Sequence, residues 1–193
     1  MDEQWQLYDE QGLPLAGKGA GKDDIYGRAL LHGAAHVWIW RRTAEGVEIL
    51  VQKRATNKRT WPGRYDISAA GHIDLGEDPL IAALRETKEE ISHDISKADL
   101  QLVGVHRCRD MAPDGTWTEN ELRWIYLLEL TDDVAFTLID GEVAALEWQP
   151  VEAVREEASS DTGNFVPHGS VYFGMLFEAL DRLRIQGEEN HDD

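Results

Sequence analysis

The chain has 193 residues, 42% of them hydrophobic and 29% charged, which suits one folded domain with a full core. Lys plus Arg number 19 against 37 Asp plus Glu, a formal charge of -18. That balance argues against a protein that works by covering duplex nucleic acid or an anionic membrane, and a lone cysteine excludes a disulfide framework or a Cys-rich zinc module.

The acidic opening MDEQWQLYDE does not read as a signal peptide. The longest apolar run, residues 34–40, is too short to span a bilayer, so a cytoplasmic protein is expected. No repeat or Pro/Gly/Ser-rich linker interrupts the chain, and residues 1–193 read as a single domain. Residues 5–8 and 13–16 flank Asp9-Glu10-Gln11-Gly12 and predict a hairpin over 4–16. Residues 17–22 read as a flexible connection and 23–31 as one or two helical turns. Strands are expected at 34–40 and 47–52. A loop at 54–65 contains the breaker Pro62-Gly63, and one short strand follows at 66–69. The strongest helix signal is residues 78–91, with Asp78 as N-cap and Pro79 at the first helical position. Leu80, Leu84, Thr87 and Ile91 recur at helical spacing. Further strands are expected at 100–108, 122–130 and 144–148, a short helix at 151–157 and an amphipathic helix at 171–184. Residues 187–193 form a charged tail expected to fray. Strands mixed with two main helices imply an α+β or α/β/α arrangement.

Two charge patterns stand out. On the 78–91 helix, Glu86, Glu89 and Glu90 fall opposite the apolar stripe, at i, i+3 and i+4. Three such carboxylates repel and weaken an isolated helix, whereas a hard divalent cation reverses the sign. Taken alone, that pattern is most simply a solvated acidic face. The second pattern is a basic loop. Lys53, Arg54, Lys58, Arg59 and Arg64 occur with no acid among them, in a strongly acidic chain. They suit capture of phosphate oxygens, Arg54 and Arg64 above all, and equally suit a solvated loop balancing nearby carboxylates. Trp61 and Tyr65 could stack on a ring or belong to the core.

The helix face acquires meaning from its surroundings. Residues 71–95 read GHIDLGEDPLIAALRETKEEISHDI. This resembles the box of the Nudix hydrolases, G-x5-E-x7-R-E-U-x-E-E-x-G-U, with U a bulky apolar residue. Gly71, Glu77, Arg85, Glu86, Glu89 and Glu90 match within a box at 71–93. Thr87, Ser92 and His93 depart from it, which touches how the helix ends and packs rather than its carboxylates. The resemblance implies an α/β/α sandwich around a mixed sheet. It implies hydrolysis of a phosphoanhydride in a nucleoside-diphosphate-type or other organic diphosphate, with Mg²⁺ or Mn²⁺ as cofactor. Glu86, Glu89 and Glu90 would hold metal, with Glu77 supporting them, Arg85 orienting the carboxylates and the Gly71 carbonyl adding a ligand. The basic loop, read by its charge, adds Lys53, Arg54, Arg64 and Tyr65 as the residues expected to meet the substrate.

Residues 50–72, Leu31-His32, Trp38-Ile39-Trp40 and Glu119-Asn120-Glu121 are also similar to the branch that contains isopentenyl-diphosphate isomerase. That resemblance implies a second metal site at His32, His72, Glu119 and Glu121, although each histidine also reads as a buried, hydrogen-bonded residue, the favoured reading for His32. Glu119 and Glu121 are candidates for the general base. The isomerase motif ends Cys-Gly-His; here it is Ala70-Gly71-His72, and alanine does no acid–base chemistry. The expectation is therefore a hydrolase on an isomerase-like chassis. An isomerase-like enzyme and a non-catalytic nucleotide-binding module stand as alternatives. The expected partner is a small diphosphate, with neither nucleic-acid duplex nor membrane, and a homodimer is admitted. His36, His106 and His168 receive no role.

Overall fold

The computed structural model describes residues 3–58, 60–92, 94–111, 115, 117–130, 136, 143–160 and 163–189. In chain order the elements are β1 (Trp5–Tyr8), β2 (Pro14–Ala20), α1 (Lys22–Arg28), β3 (His32–Thr43), β4 (Gly46–Arg54), β5 (Tyr65–Asp66), β6 (Ala69–His72) and α2 (Pro79–Ile91). A 3-10 turn (Lys97–Asp99) then leads into β7 (Leu100–Met111), β8 (Thr118–Glu129), β9 (Val143–Pro150), α3 (Val151–Ser159) and α4 (Ser170–Glu189).

The strands form a mixed sheet built on β3. It pairs antiparallel with β4 and β6 and parallel with β8, while β7 adds to β8, and β5 and β9 add to β4. A strand so placed is covered on both faces and reads as continuously buried, as His32–Trp40 is. Alternation along β3 sends Trp38 and Trp40 to one face and Val37 and Ile39 to the other. The first face packs on Val154 of α3 and on Tyr172, Phe173, Leu176 and Phe177 of α4. The second packs on Ala82, Ala83 and Ile91 of α2. Helices thus cover both faces of a mixed sheet, as expected. Among the described residues no helix is long and apolar enough to cross a membrane.

Three expectations need correction. Residues 17–22 are not a free connection, because β2 continues to Ala20, with Trp5 opposite Ala20 and Gln6 opposite Gly19. A register shift between Gln6 and Tyr8 makes this possible, and the Gln6 amide bridges it, donating to the carbonyls of Leu7 (2.7 Å) and Leu15 (3.0 Å). The expected strand 66–69 is two strands. The chain leaves β4 after Asp66 and joins β3 at Ala69, and between them Ser68 stitches both neighbours, accepting from the Ile39 N–H and donating to the Leu50 carbonyl. The third concerns the charged tail: α4 runs to Glu189, and residues 190–193 lie outside the described residues, as do Arg59 and His93.

Candidate metal and phosphate site

The box begins with backbone. Asp78 accepts from the Leu80 N–H at 2.9 Å, and Pro79 opens α2 with its φ already set. Thr87, where the family pattern asks for an apolar residue, is fully buried and turns its hydroxyl back to the Ala83 carbonyl at 2.7 Å. Ser92 closes the helix with φ 56°, the left-handed conformation glycine usually supplies.

The acidic residues do not form the solvated face that periodicity alone suggests. Only Glu89 points outward, with 58% of its side chain exposed, whereas Glu86 shows 13% and Glu90 is buried. Glu90 accepts the Ala70 N–H at 2.9 Å. Glu86 lies so close to Gly71 that a Cβ there would overlap its carboxyl group. The glycine therefore serves as a seat for a carboxylate. Arg85 gathers the cluster: it grips Glu77 with two bonds of 3.0 and 2.8 Å, and donates to Glu86 at 2.6 Å, Glu89 at 3.2 Å and the His72 carbonyl at 2.9 Å. Glu77 also accepts the Asp74 N–H at 3.0 Å, so both its oxygens are engaged and it braces Arg85. Burial, with Glu89 and Glu77 adding, pushes the Glu86 carboxyl up to about 7 against the pull of Arg85.

A second cluster stands behind His72. His32 Nε2 lies 3.3 Å from Glu119 and 3.6 Å from Glu121, and His72 Nε2 lies 3.6 Å from Glu121. The His32, His72 and Glu121 ligand atoms all fall within 4.8 Å of one another. Two ligands each about 2.1 Å from one tetrahedral ion sit roughly 3.4 Å apart, so this spacing fits a first coordination sphere. Trp5 stacks on His72 at 3.4 Å and 7°, and His32 Nδ1 meets the Leu30 carbonyl at 3.0 Å, leaving both Nε2 atoms aimed at the carboxylates. His32 Nε2 and Glu119 Oε1 are buried without an aligned hydrogen bond. Orphaned donor atoms around such a gap fit a cation. Without one, burial opposes a charge on His32, yet Glu119 and Glu121 outweigh it and push the imidazole up to about 10. Burial, with Glu121 beside it, raises Glu119 above the usual carboxylate range.

Both clusters open on one cavity of about 430 Å³. Its lining includes Gly71, His72, Glu86, Glu89, Glu90 and Glu119, together with Lys22, Arg54, Lys58, Tyr26 and Trp117. Arg54 lines it, partly braced by Asp66 (2.9 Å) and the Thr60 carbonyl (3.1 Å). Lys53, Arg64 and Tyr65 do not line it. Gln52 pairs with Asp66, and Lys53 with Tyr65. Strand alternation gives the cavity to the first pair and the opposite face to the second. Tyr65 donates instead to Glu147 at 2.8 Å with Lys53 over its ring, and Arg64 donates to the carbonyls of Gly163 (3.2 Å) and Phe165 (2.9 Å). Sequence reasoning passed over Asp66, Arg123 and His168, buried polar residues whose partners are distant along the chain. For Asp66 and Arg123 the signal was a charge in a strand between apolar neighbours, whereas His168, just before α4, offered none.

Comparison with known proteins decides the kinship. The NUDIX domain profile matches residues 30–169. The chain belongs to the Nudix hydrolase family. Nudix hydrolase 3 of Arabidopsis thaliana is 35% identical over 159 residues, 80% of this chain, which spans only about 20% of that relative's length. An uncharacterized Nudix hydrolase, orf19 of Rhodococcus erythropolis, is 30% identical over 168 residues, covering 86% of this chain and 87% of the relative. The isopentenyl-diphosphate Delta-isomerase of Citrobacter koseri is 31% identical over 167 residues, covering 83% and 84%. Among solved structures, DR0079 of Deinococcus radiodurans superposes with a TM-score of 0.62 at 16% identity over 90% of this chain and 97% of that one, a likeness of fold. This Nudix chain thus sits in the part of the family that includes the isomerases.

Proposed function

We propose that the chain hydrolyses a phosphoanhydride bond in a small organic diphosphate with Mg²⁺ or Mn²⁺ as cofactor. The observation that carries this reading is the convergence of the box carboxylates and the His/Glu cluster on one cavity that Lys22, Arg54 and Lys58 also line. Glu86, Glu89 and Glu90 would hold one or more cations beside the Gly71 carbonyl. His32, His72 and Glu121, with Glu119 at the edge, would hold another. Bound divalent ions supply neutralisation of charge on the diphosphate and a more acidic water. The chain's own residues do the rest. Arg54 and Lys58 approach phosphate oxygens, and Arg85 with Glu77 holds the carboxylates in place. Glu119 is suited to take a proton from the attacking water, because it lines the cavity and is more basic than an exposed carboxylate.

The cavity lining carries six carboxylates (Glu3, Asp66, Glu86, Glu89, Glu90 and Glu119) against Lys22, Arg54 and Lys58. An anionic substrate is repelled by that lining until cations enter, so binding should need the metal.

The isomerase reading draws on relatives of that name. Against it, Ala70 occupies the expected thiol position and contributes only its N–H, to Glu90. Cys108 lies on β7, donates to Asp110 at 3.0 Å and is pushed up to about 12 by burial. A panel of organic diphosphates with Mg²⁺, followed by phosphorus and proton NMR, tests both. Cation-dependent release of phosphate or a monophosphate from at least one substrate is expected, with no alkene migration in isopentenyl diphosphate. Migration without anhydride cleavage would overturn the hydrolase reading.

A further inference from the structure

A histidine outside every motif in the sequence joins the two halves of this site. His168 precedes Gly169, whose φ of +91° turns the chain into α4. Its ring is buried against Tyr172, with centroids 4.8 Å apart, and against Phe173 and His36, each at 5.8 Å. Nδ1 lies 3.3 Å from Arg123 Nη1, and Nε2 lies 2.8 Å from Asp66 Oδ1. A guanidinium only donates, so Nδ1 accepts; the ring proton then sits on Nε2 and is donated to Asp66. A flipped ring would set carbon atoms against both partners and lose both bonds. The neighbours therefore select one tautomer and one orientation.

Each neighbour holds part of the site. Asp66 Oδ2 accepts from Arg54 Nη1 at 2.9 Å, and Arg54 faces the cavity. Arg123 Nε donates to Glu121 Oε2 at 2.7 Å, while the other Glu121 oxygen faces His32 and His72. Without the imidazole, a buried anion and a buried cation would be free to draw together, pulling Asp66 from Arg54 and Arg123 from Glu121. We infer that His168 is a positioning residue: one imidazole, donating on one side and accepting on the other, fixes both the arginine that meets phosphate and the glutamate that meets a cation. This rests on the reading of Arg54 and Glu121 given above.

The test compares His168→Leu, which removes both bonds and keeps bulk, with His168→Gln, whose amide can both accept from Arg123 and donate to Asp66. Mn²⁺ affinity is read by electron paramagnetic resonance, and inorganic diphosphate affinity by calorimetry with Mn²⁺ present, on the full chain. The Leu variant should lose about tenfold in each, the worth of one hydrogen bond to a charged group, and the Gln variant should recover most of it. A folded Leu variant with wild-type affinities, or a Gln variant as weak as Leu, would overturn the proposal. Where the Leu variant does not fold, nitrogen NMR of the wild-type imidazoles reads the arrangement directly. An Nε2-protonated His168 is expected, and an Nδ1-protonated one overturns it. Failure of the wild type to bind either probe while that tautomer persists would instead count against the reading of the cavity.

Discussion

At the scale of single residues, the site depends on close approach. Gly71 leaves room for the Glu86 carboxylate against the backbone. Gly71→Ala should therefore leave a folded protein in which Glu86 is displaced. Catalysis should fall by about a hundredfold or more, the usual cost of losing one charge-stabilising group at a reacting centre. Activity near wild type alongside an unchanged melting curve would refute this. Glu86 carries a second prediction. Its carboxyl, raised to about 7, keeps a proton in the folded cation-free protein where the unfolded chain would release it. That contribution to stability is full at low pH and fades as pH rises through about 7; His32, raised to about 10, fades in the same direction. A cation replaces both protons, so its stabilising effect should grow with pH. The Mn²⁺-induced rise in melting temperature should be larger near pH 8 than near pH 5.5, and equal shifts would contradict the assignment.

At the scale of elements, α2 shows what patterning can and cannot reveal. Its start was legible in Asp78 and Pro79, because capping is a local matter of one side chain and one N–H. Its carboxylate spacing was legible too, since helix geometry is fixed. That Glu90 lies buried under β6 was not, because burial depends on which strand the helix packs against. The same holds for Arg64 and Tyr65. A run of cations is visible in sequence, whereas the face each occupies is decided by strand alternation beyond the loop. The expected short strand at 66–69 failed for a similar reason, as nothing local marks where a chain changes strand partner. The C-terminus of α2 offers a direct check. Ser92 holds a left-handed φ of 56°, which costs a side-chain-bearing residue about 1 kcal/mol or more. Ser92→Gly should raise the melting temperature by roughly 2–4 °C, with kcat and KM unchanged. A lower melting temperature would show that the serine side chain contributes more than the strain removes.

At the scale of the whole molecule, charge works against an anionic substrate. The formal charge of -18 sets up a repulsive field, while Lys22, Arg54 and Lys58 provide local attraction inside the cavity. Screening acts first on the long-range part, because the Debye length shrinks from about 30 Å at 0.01 M salt to about 8 Å at 0.15 M. With Mg²⁺ saturating, kcat/KM for an anionic diphosphate should therefore rise across that range. A steady fall would mean that the cavity cations govern the encounter.

The stack of Trp5 on His72 bears on where this domain can be cut. The region shared with the family spans residues 30–169, yet the indole that holds the His72 ring comes from β1, and Tyr26 on the cavity wall comes from α1. All of α4, which buries Tyr172 and Phe173 under the sheet, lies past the other end. A fragment trimmed to the boundaries of kinship would keep every box carboxylate, lose the indole that steadies one imidazole of the second cluster, and expose the aromatic core beneath it. Residues 5–26 are thus structural members of the site and 170–184 of the core behind it, and any tag, fusion or excision should be planned around both segments.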